Sequence, residues 1–152
     1  MTKHLDDVSG SAKEIELIHT EYNDPKWNMP YTPAIKIHSG TLVFLSGVTA
    51  APVYHSHPHN PSEFDDIPED AEAQTEMAME NLKTVLAASD GTLTDIVQLT
   101  RFIVDEDRNQ DGINKVMARY LGDHRAASTS VEVVRLATDP KFVLELEAVA
   151  VV

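Results

Sequence analysis

The chain has 152 residues and no cysteine, and its 12 lysines and arginines stand against 25 aspartates and glutamates, a formal charge of −13. These values exclude disulfides and thiolate sites, disfavour binding to nucleic acid or to an anionic membrane, and predict a single domain over residues 1–152. The apolar runs are shorter than the roughly 20 residues that cross a bilayer. Residues 1–13 are polar and are expected to be loose; because they contain no apolar leader, we expect a cytoplasmic protein.

Prolines and a pair of alternating segments dominate residues 25–48. Tyr31 lies between Pro30 and Pro33 on a stiff backbone, so its ring either packs on the core or projects into a pocket. Residues 34–38 and 41–48 alternate in polarity around Ser39-Gly40, which predicts a β-hairpin. The small pair Ser46-Gly47 at its end permits another group to approach the backbone closely.

The irregular stretch 51–66 contains His55, His57 and His59 at alternate positions. Three imidazoles could ligate a metal, but Pro58 argues against the strand that would place them on one face, and no fourth ligand is visible. We therefore favour a solvated loop over a metal site. A loop that lines a pocket is a third possibility.

Two helices alternate with strands in the second half of the chain. The first helix starts within Ile67-Pro68-Glu69-Asp70 and stops before Gly91, with a stripe of apolar residues along one face. Residues 96–104 predict a strand, residues 109–121 a second helix, and residues 127–134 another strand. Asn114 lies at the rim of the second helix's apolar stripe.

The strand of residues 127–134 places the hydroxyls of Ser128 and Ser130 on one face. The final strand, residues 142–152, has one apolar face, whereas its other face carries Glu145 and Glu147 between valines. A covered carboxylate is disfavoured as an ion, and such acids cluster at functional sites. The alternative is a surface pair, or a pair that forms salt bridges inside an oligomer.

The order strands, helix, strand, helix, strands predicts an α+β fold, a mixed β-sheet with both helices on one face. The other face of that sheet then needs cover, which a partner subunit would supply. No dinucleotide or phosphate-loop motif and no nucleophile elbow is present.

Together these features resemble the RidA/YjgF family of reactive-intermediate deaminases, also called L-PSP endoribonucleases, from about Pro30 to Val151. The segments that carry the resemblance are Pro30-Tyr31, Val43-Phe44-Leu45-Ser46-Gly47, Ala73-Gln74, Asn81-Leu82-Lys83, Asn114, Ser130-Val131-Glu132-Val133-Val134-Arg135-Leu136 and Leu144-Glu145-Leu146-Glu147-Ala148-Val149-Ala150-Val151.

The resemblance implies a chorismate-mutase-like fold and a homotrimer with sites between subunits. It also implies hydrolysis of small enamines or imines to ketoacids and ammonia without cofactor or metal. By position, Glu145 is the catalytic residue that orients the attacking water. Residues implied to contact the substrate are Tyr31, Ser46, Asn114 and Ser130. The alternative is a trimer of this fold that binds a small ligand, or regulates, without catalysis.

Two departures from the family pattern alter the expected substrate site. Ser128 stands where the family has an arginine that binds the substrate carboxylate, and serine cannot form that bidentate pair. Arg125, three residues earlier, cannot fill this place without a shift. The loop with the three histidines is about nine residues longer than usual. One hypothesis is that His55, His57 or His59 replaces the arginine or acts as an acid–base group.

Overall fold

The computed structural model describes residues 12–24 and 26–152. The segment expected to be loose, residues 1–13, lies outside the described residues except for its last two positions. Strands and helices alternate along the rest of the chain. They are β1 (Glu14–Ile18), β2 (Ala34–Ser39), β3 (Leu42–Phe44), α1 (Ala71–Ala87), β4 (Ile96–Val104), α2 (Glu106–Leu121), β5 (Ala127–Val133) and β6 (Leu144–Val151).

The main sheet has the strand order β3-β6-β4-β5. β6 runs antiparallel to β3 and β4, whereas β4 and β5 are parallel. Both helices pack on one face of this sheet, which confirms the predicted α+β arrangement. β5 lies at one edge of the sheet, so the backbone groups of its free side are available to other groups.

The predicted hairpin of residues 34–48 is wrong. β2 pairs with β1 in a separate two-stranded sheet, and β3 pairs with the C-terminal strand instead. Gly40 has φ +124°, a value that favours glycine, and directs the chain out of β2. Thr41 then exchanges backbone hydrogen bonds of 2.7 and 3.0 Å with Val152. The alternation of polarity correctly predicted two strands but could not reveal that each has a different partner.

α1 begins and α2 ends where the sequence supplies suitable groups. The Asp70 side chain accepts a hydrogen bond of 2.8 Å from the Ala73 N–H at the start of α1. Gly122 follows the last turn of α2 with φ +55°. The apolar stripes of both helices face Leu99, Ile103, Leu144 and Leu146 of the sheet, and together they form the main core.

Two side-chain amides, one buried and one partly buried, hold irregular segments in place. Gln74 of α1 donates to the carbonyls of Pro68 and Lys141 and accepts from the Val143 N–H, at 2.9 to 3.0 Å. Asn81, two turns later, donates to the carbonyls of Thr49 and Ala51. These bonds fix the segment that follows β3 and the segment that leads into β6.

We call the sheet face opposite the helices the outer face; it presents Phe44, Phe102, Val131, Glu145, Glu147 and Val149. A second core covers its end near Phe102, Val104 and Val133, built mainly from the residues that follow β3 and precede α1. The rest is open: Phe44 is 75% exposed and Val131 40% exposed. None of the helices in the described ranges has the length and apolarity that crossing a membrane requires.

Candidate functional site

A cleft of about 550 Å³ lies between α2 and the free edge of β5, on the helix side of the sheet. Its polar lining comes from five parts of the chain: the segment before β2, β4, α2, the connection between α2 and β5, and β5 itself. The residues that concern its chemistry are Tyr31, Arg101, Asn114, Arg125, Ser128 and Ser130. Tyr31, Asn114, Ser128 and Ser130 are four of the residues singled out from the sequence.

Arg101 supplies the positive charge nearest to the two serines. It lies on β4 opposite Ser130 of β5, and its Nε and Nη2 donate to the Ser130 hydroxyl at 2.9 and 2.6 Å. Its Nη1 donates to Asn114 Oδ1 at 2.6 Å. No ion pair to Arg101 occurs among the described residues. Desolvation lowers the pKa of Arg101, and the charge of Glu106 opposes that shift only in part.

A guanidinium remains charged in proteins, so Arg101 brings a partly buried cation to the cleft with neutral acceptors alone in contact. An arrangement of this kind is suited to bind an anion, because a carboxylate would supply the missing counter-charge. Serine could not do this at position 128. Arg101, on the strand adjacent to β5, brings a guanidinium to the cleft that Ser128 lines.

The other arginine of the cleft has a different role. Arg125 donates from Nε to the Met29 carbonyl at 3.1 Å and from Nη1 to the Gly122 carbonyl at 2.6 Å. Beside it, the Thr32 hydroxyl donates to the Arg125 carbonyl and the Thr32 N–H donates to the Ala126 carbonyl. Arg125 thus binds backbone carbonyls and holds Tyr31 at the mouth of the cleft.

Glu145 lies on the outer face, because its neighbours Leu144 and Leu146 point into the main core. A bulge in the chain after β3 makes room for it. Leu45 donates to the Ala148 carbonyl and Val48 exchanges hydrogen bonds of 2.9 Å with Leu146. Ser46-Gly47 therefore lies beside Glu145, and a Cβ added to Gly47 would overlap its Oε1. The close approach predicted at this glycine is confirmed.

The Glu145 carboxyl is half-buried and its pKa is raised above the usual value. Desolvation is the larger cause, and the charge of Glu147 on the same face adds to it. Both effects disfavour the charged form. A carboxylate of raised pKa is more basic than an exposed one, so this group is better suited to accept a proton from water.

The residues singled out from the sequence therefore fall into three places in one chain. Tyr31, Asn114, Ser128 and Ser130 line the cleft on the helix side. Ser46 and Glu145 lie together on the outer face. His55 and His57 belong to the loop that covers one end of the outer face, and the cleft lining does not include them.

Sequence reasoning missed Arg101, although the sequence contained a signal for it. In β4 the residues Leu99, Arg101 and Ile103 alternate onto one face, and the first and last are buried in the main core. An arginine on an apolar face needs a polar partner or a ligand. The period-two pattern could thus have identified Arg101.

Residues 21–152 match the family model described as Endoribonuclease L-PSP. The chain is 33% identical to RutC family protein PH0854 of Pyrococcus horikoshii over 135 residues, 89% of this chain and 96% of that protein. It is 31% identical to TdcF of Escherichia coli K12, named as a candidate reactive intermediate deaminase, over 80% and 86% of the two chains. The crystal structure of YyfB from Yersinia pestis, a Rid family protein of unknown function, aligns with a TM-score of 0.71 at 27% sequence identity. The alignment covers 91% of this chain and 98% of YyfB.

Proposed function

The chain belongs to the endoribonuclease L-PSP family, the RidA/YjgF group with its chorismate-mutase-like fold, and we propose that it hydrolyses a small enamine or imine to a carbonyl compound and ammonia. The observation that carries this proposal is the half-buried Glu145 carboxylate with its raised pKa. A deaminase-like role also agrees with the name of TdcF.

In the proposed reaction Glu145 accepts a proton from a water molecule as the water oxygen adds to the imine carbon. The C=N bond becomes a C–N single bond, and the nitrogen takes up a proton. Collapse of this carbinolamine forms the C=O bond and breaks the C–N bond. One imine and one water thus give one carbonyl compound and one ammonia, with no change of oxidation state.

Arg101 is the residue we propose to hold the substrate. It donates to neutral acceptors only, the oxygens of Ser130 and Asn114 and the sulfur of Met117, and a substrate carboxylate could replace Ser130 or Asn114 as the acceptor of one or two of these bonds. A bidentate guanidinium–carboxylate pair fixes both position and orientation. The substrate in this proposal therefore carries a carboxylate beside its C–N centre, despite the serine at position 128.

The complete site is proposed to form where copies of the chain meet in a homotrimer. In one chain Glu145 and Arg101 project from opposite faces of the sheet, so one copy cannot present both to a single small substrate. The uncovered part of the outer face exposes the apolar side chains of Phe44 and Val131, as a contact surface would. A second copy that brings its cleft against this face would complete the site. Membrane and nucleic acid are not partners in this proposal.

Phe44 provides a test of the assembly. We expect Phe44→Glu to weaken self-association about tenfold or more, because it would bury a charge in the contact. Light scattering after gel filtration should show trimers converted to smaller species, with ammonia release falling in parallel. The matched control is Tyr22→Glu, since Tyr22 is 78% exposed and Phe44 75%. Unchanged mass for Phe44→Glu with an unchanged circular dichroism spectrum would remove the outer face as the contact surface.

The pH dependence of turnover gives a test of Glu145 as the base. Activity requires ionised Glu145, so kcat/KM should rise as pH increases through its raised pKa. Glu147→Gln removes the like charge that contributes to the shift, and the rising limb should therefore move to lower pH. Initial rates over a pH series would measure this. If the pH at which kcat/KM rises is the same in Glu147→Gln, the pH dependence belongs to another group.

The direct test of function is ammonia release from imines generated in the assay from several amino acids by an amino-acid oxidase. The proposed enzyme accelerates this release above the spontaneous rate. Tight binding of a small acid without faster ammonia release would instead favour the alternative, a protein that binds a small ligand without catalysis. The serine at position 128 is the reason to test this alternative. A charge of −13 weighs against RNA as the substrate.

A further inference from the structure

The histidine-containing loop has a fixed position in the fold. It leaves β3, is held to α1 by the two bonds that Asn81 donates, and buries Phe64 beside Phe142 of the second core. Phe64 in turn packs edge-on against the ring of His55, with centroids 5.5 Å apart. The loop is therefore anchored to the second core through Phe64.

His55, His57 and His59 converge at this place without forming a strand. Their ring centroids are 4.6 to 5.1 Å apart, and one nitrogen of each lies within 4.8 Å of the others. In a tetrahedral zinc site with Zn–N bonds of about 2.0–2.1 Å, the ligand nitrogens are about 3.3 Å apart. Nitrogens that lie farther apart than this would move closer together when a metal binds.

A hydrogen bond to the backbone sets the tautomer of His55. Its Nδ1 lies 2.8 Å from the Pro52 carbonyl, and because a carbonyl only accepts hydrogen bonds, Nδ1 carries the proton. Its Nε2 therefore presents a lone pair. That atom is buried and has no hydrogen-bond partner in the described part of the chain. Metal-bound histidines have this arrangement, with one nitrogen donating to a carbonyl and the other on the metal.

An acidic residue adds favourable charge. The Glu63 carboxylate accepts a hydrogen bond of 3.0 Å from the N–H of Ser56, which lies between His55 and His57 in the sequence. A negative charge beside these two imidazoles favours the binding of a cation. Three imidazoles favour zinc and its neighbours among the divalent transition metals over magnesium or calcium, which prefer oxygen ligands.

We propose that His55, His57 and His59 bind one divalent transition-metal ion of the zinc type, with a water molecule as the fourth ligand. This revises the expectation of a solvated loop without metal, which rested on Pro58 and on the need for a strand. The convergence comes from the packing of the loop on Phe64. The site lies away from the cleft that holds Arg101, so metal binding stands independently of the deaminase proposal.

The test is zinc binding by the untagged full-length chain, followed by elemental analysis after desalting and by competition with a chromogenic chelator. We expect about one zinc per chain. Loading with cobalt(II) should produce the visible absorption of a tetrahedral site. His57→Ala removes an exposed ligand and is expected to weaken zinc affinity about 100-fold or more. Substitution of a residue that only hydrogen-bonds to a ligand already weakens metal affinity by about 10- to 100-fold, and loss of a ligand should cost at least as much.

His19→Ala is the matched control, because it removes another exposed histidine and should bind zinc like the unmodified chain. Circular dichroism would establish that both variants remain folded. Failure of the unmodified chain to retain zinc, or equal zinc affinity in His57→Ala, would overturn the site. Neither measurement uses catalytic activity, so the result does not depend on the proposed reaction.

Discussion

Replacing Glu145 with glutamine is expected to lower kcat/KM for imine hydrolysis by about 10²- to 10⁴-fold, the usual contribution of a positioned general base. Glutamine has nearly the same shape but cannot accept the proton from water. We therefore expect glutamine to fit beside Gly47 without displacing the backbone. Steady-state ammonia release would measure the loss.

The stability of the same variant separates a chemical role from a structural one. Because the folded pKa of Glu145 is raised, its carboxylate opposes folding, and this effect grows as pH rises through that pKa. Glu145→Gln should therefore have a Tm at or above that of the unmodified chain at neutral pH. Glu69→Gln, at an exposed carboxyl just before the α1 cap, is the control that should retain activity. Full activity in Glu145→Gln would remove Glu145 as the base.

Replacing Arg101 with alanine is expected to raise KM for a substrate that carries a carboxylate by about 10- to 100-fold, since a hydrogen bond to a charged group contributes about 1.5–3 kcal/mol. An otherwise identical ester substrate should show little change in KM, because it lacks the anion. The ratio of the two KM values therefore reports carboxylate binding and is insensitive to a general loss of fold.

A second substitution, at Ser128, tests whether a guanidinium from the neighbouring strand can replace that of Arg101. Ser128 lies on β5 opposite Leu99, two positions before Ser130, and it lines the same cleft. In the Arg101→Ala background, Ser128→Arg would return a guanidinium from the neighbouring strand, and a partial recovery of KM is expected. No recovery, together with an unchanged KM in Arg101→Ala alone, would mean that the substrate is held elsewhere, while the role of Glu145 would stand.

The two impaired variants also test whether one site draws on two copies. At a substrate concentration well below KM, co-refolding equal amounts of Glu145→Gln and Arg101→Ala should restore about a quarter of full activity, because random assembly joins an intact Arg101 half to an intact Glu145 half at about one contact in four. Each variant alone keeps only its reduced activity under these conditions. A mixture that is no more active than the two variants assayed separately, after subunit exchange, would indicate that both residues act from the same chain.

The features that the sequence predicted well are those that depend on local pattern. The period of β6 and the apolar stripe of α2 each set the buried face of their element, and the structure agrees. Gly47 was expected to permit a close approach, and the carboxylate of Glu145 lies there.

What the sequence could not provide depends on pairing over long distances. β3 has the alternation of a hairpin strand but pairs with β6, a choice made by the whole sheet. The distribution of the predicted site residues over two faces of that sheet likewise follows from topology. Arg101 could have been found from the pattern of β4, whereas the convergence of His55, His57 and His59 requires the packing of the loop on Phe64.

The position of the cleft and of Glu145 on opposite faces of one sheet has a consequence for symmetry. Two copies that join cleft to outer face use different surfaces, so the contact is head-to-tail and each new subunit leaves one surface free. Such contacts end only when a ring closes; otherwise they continue as a filament. In a closed ring the number of complete sites equals the number of chains, and every chain contributes the carboxylate to one site and the guanidinium to the next.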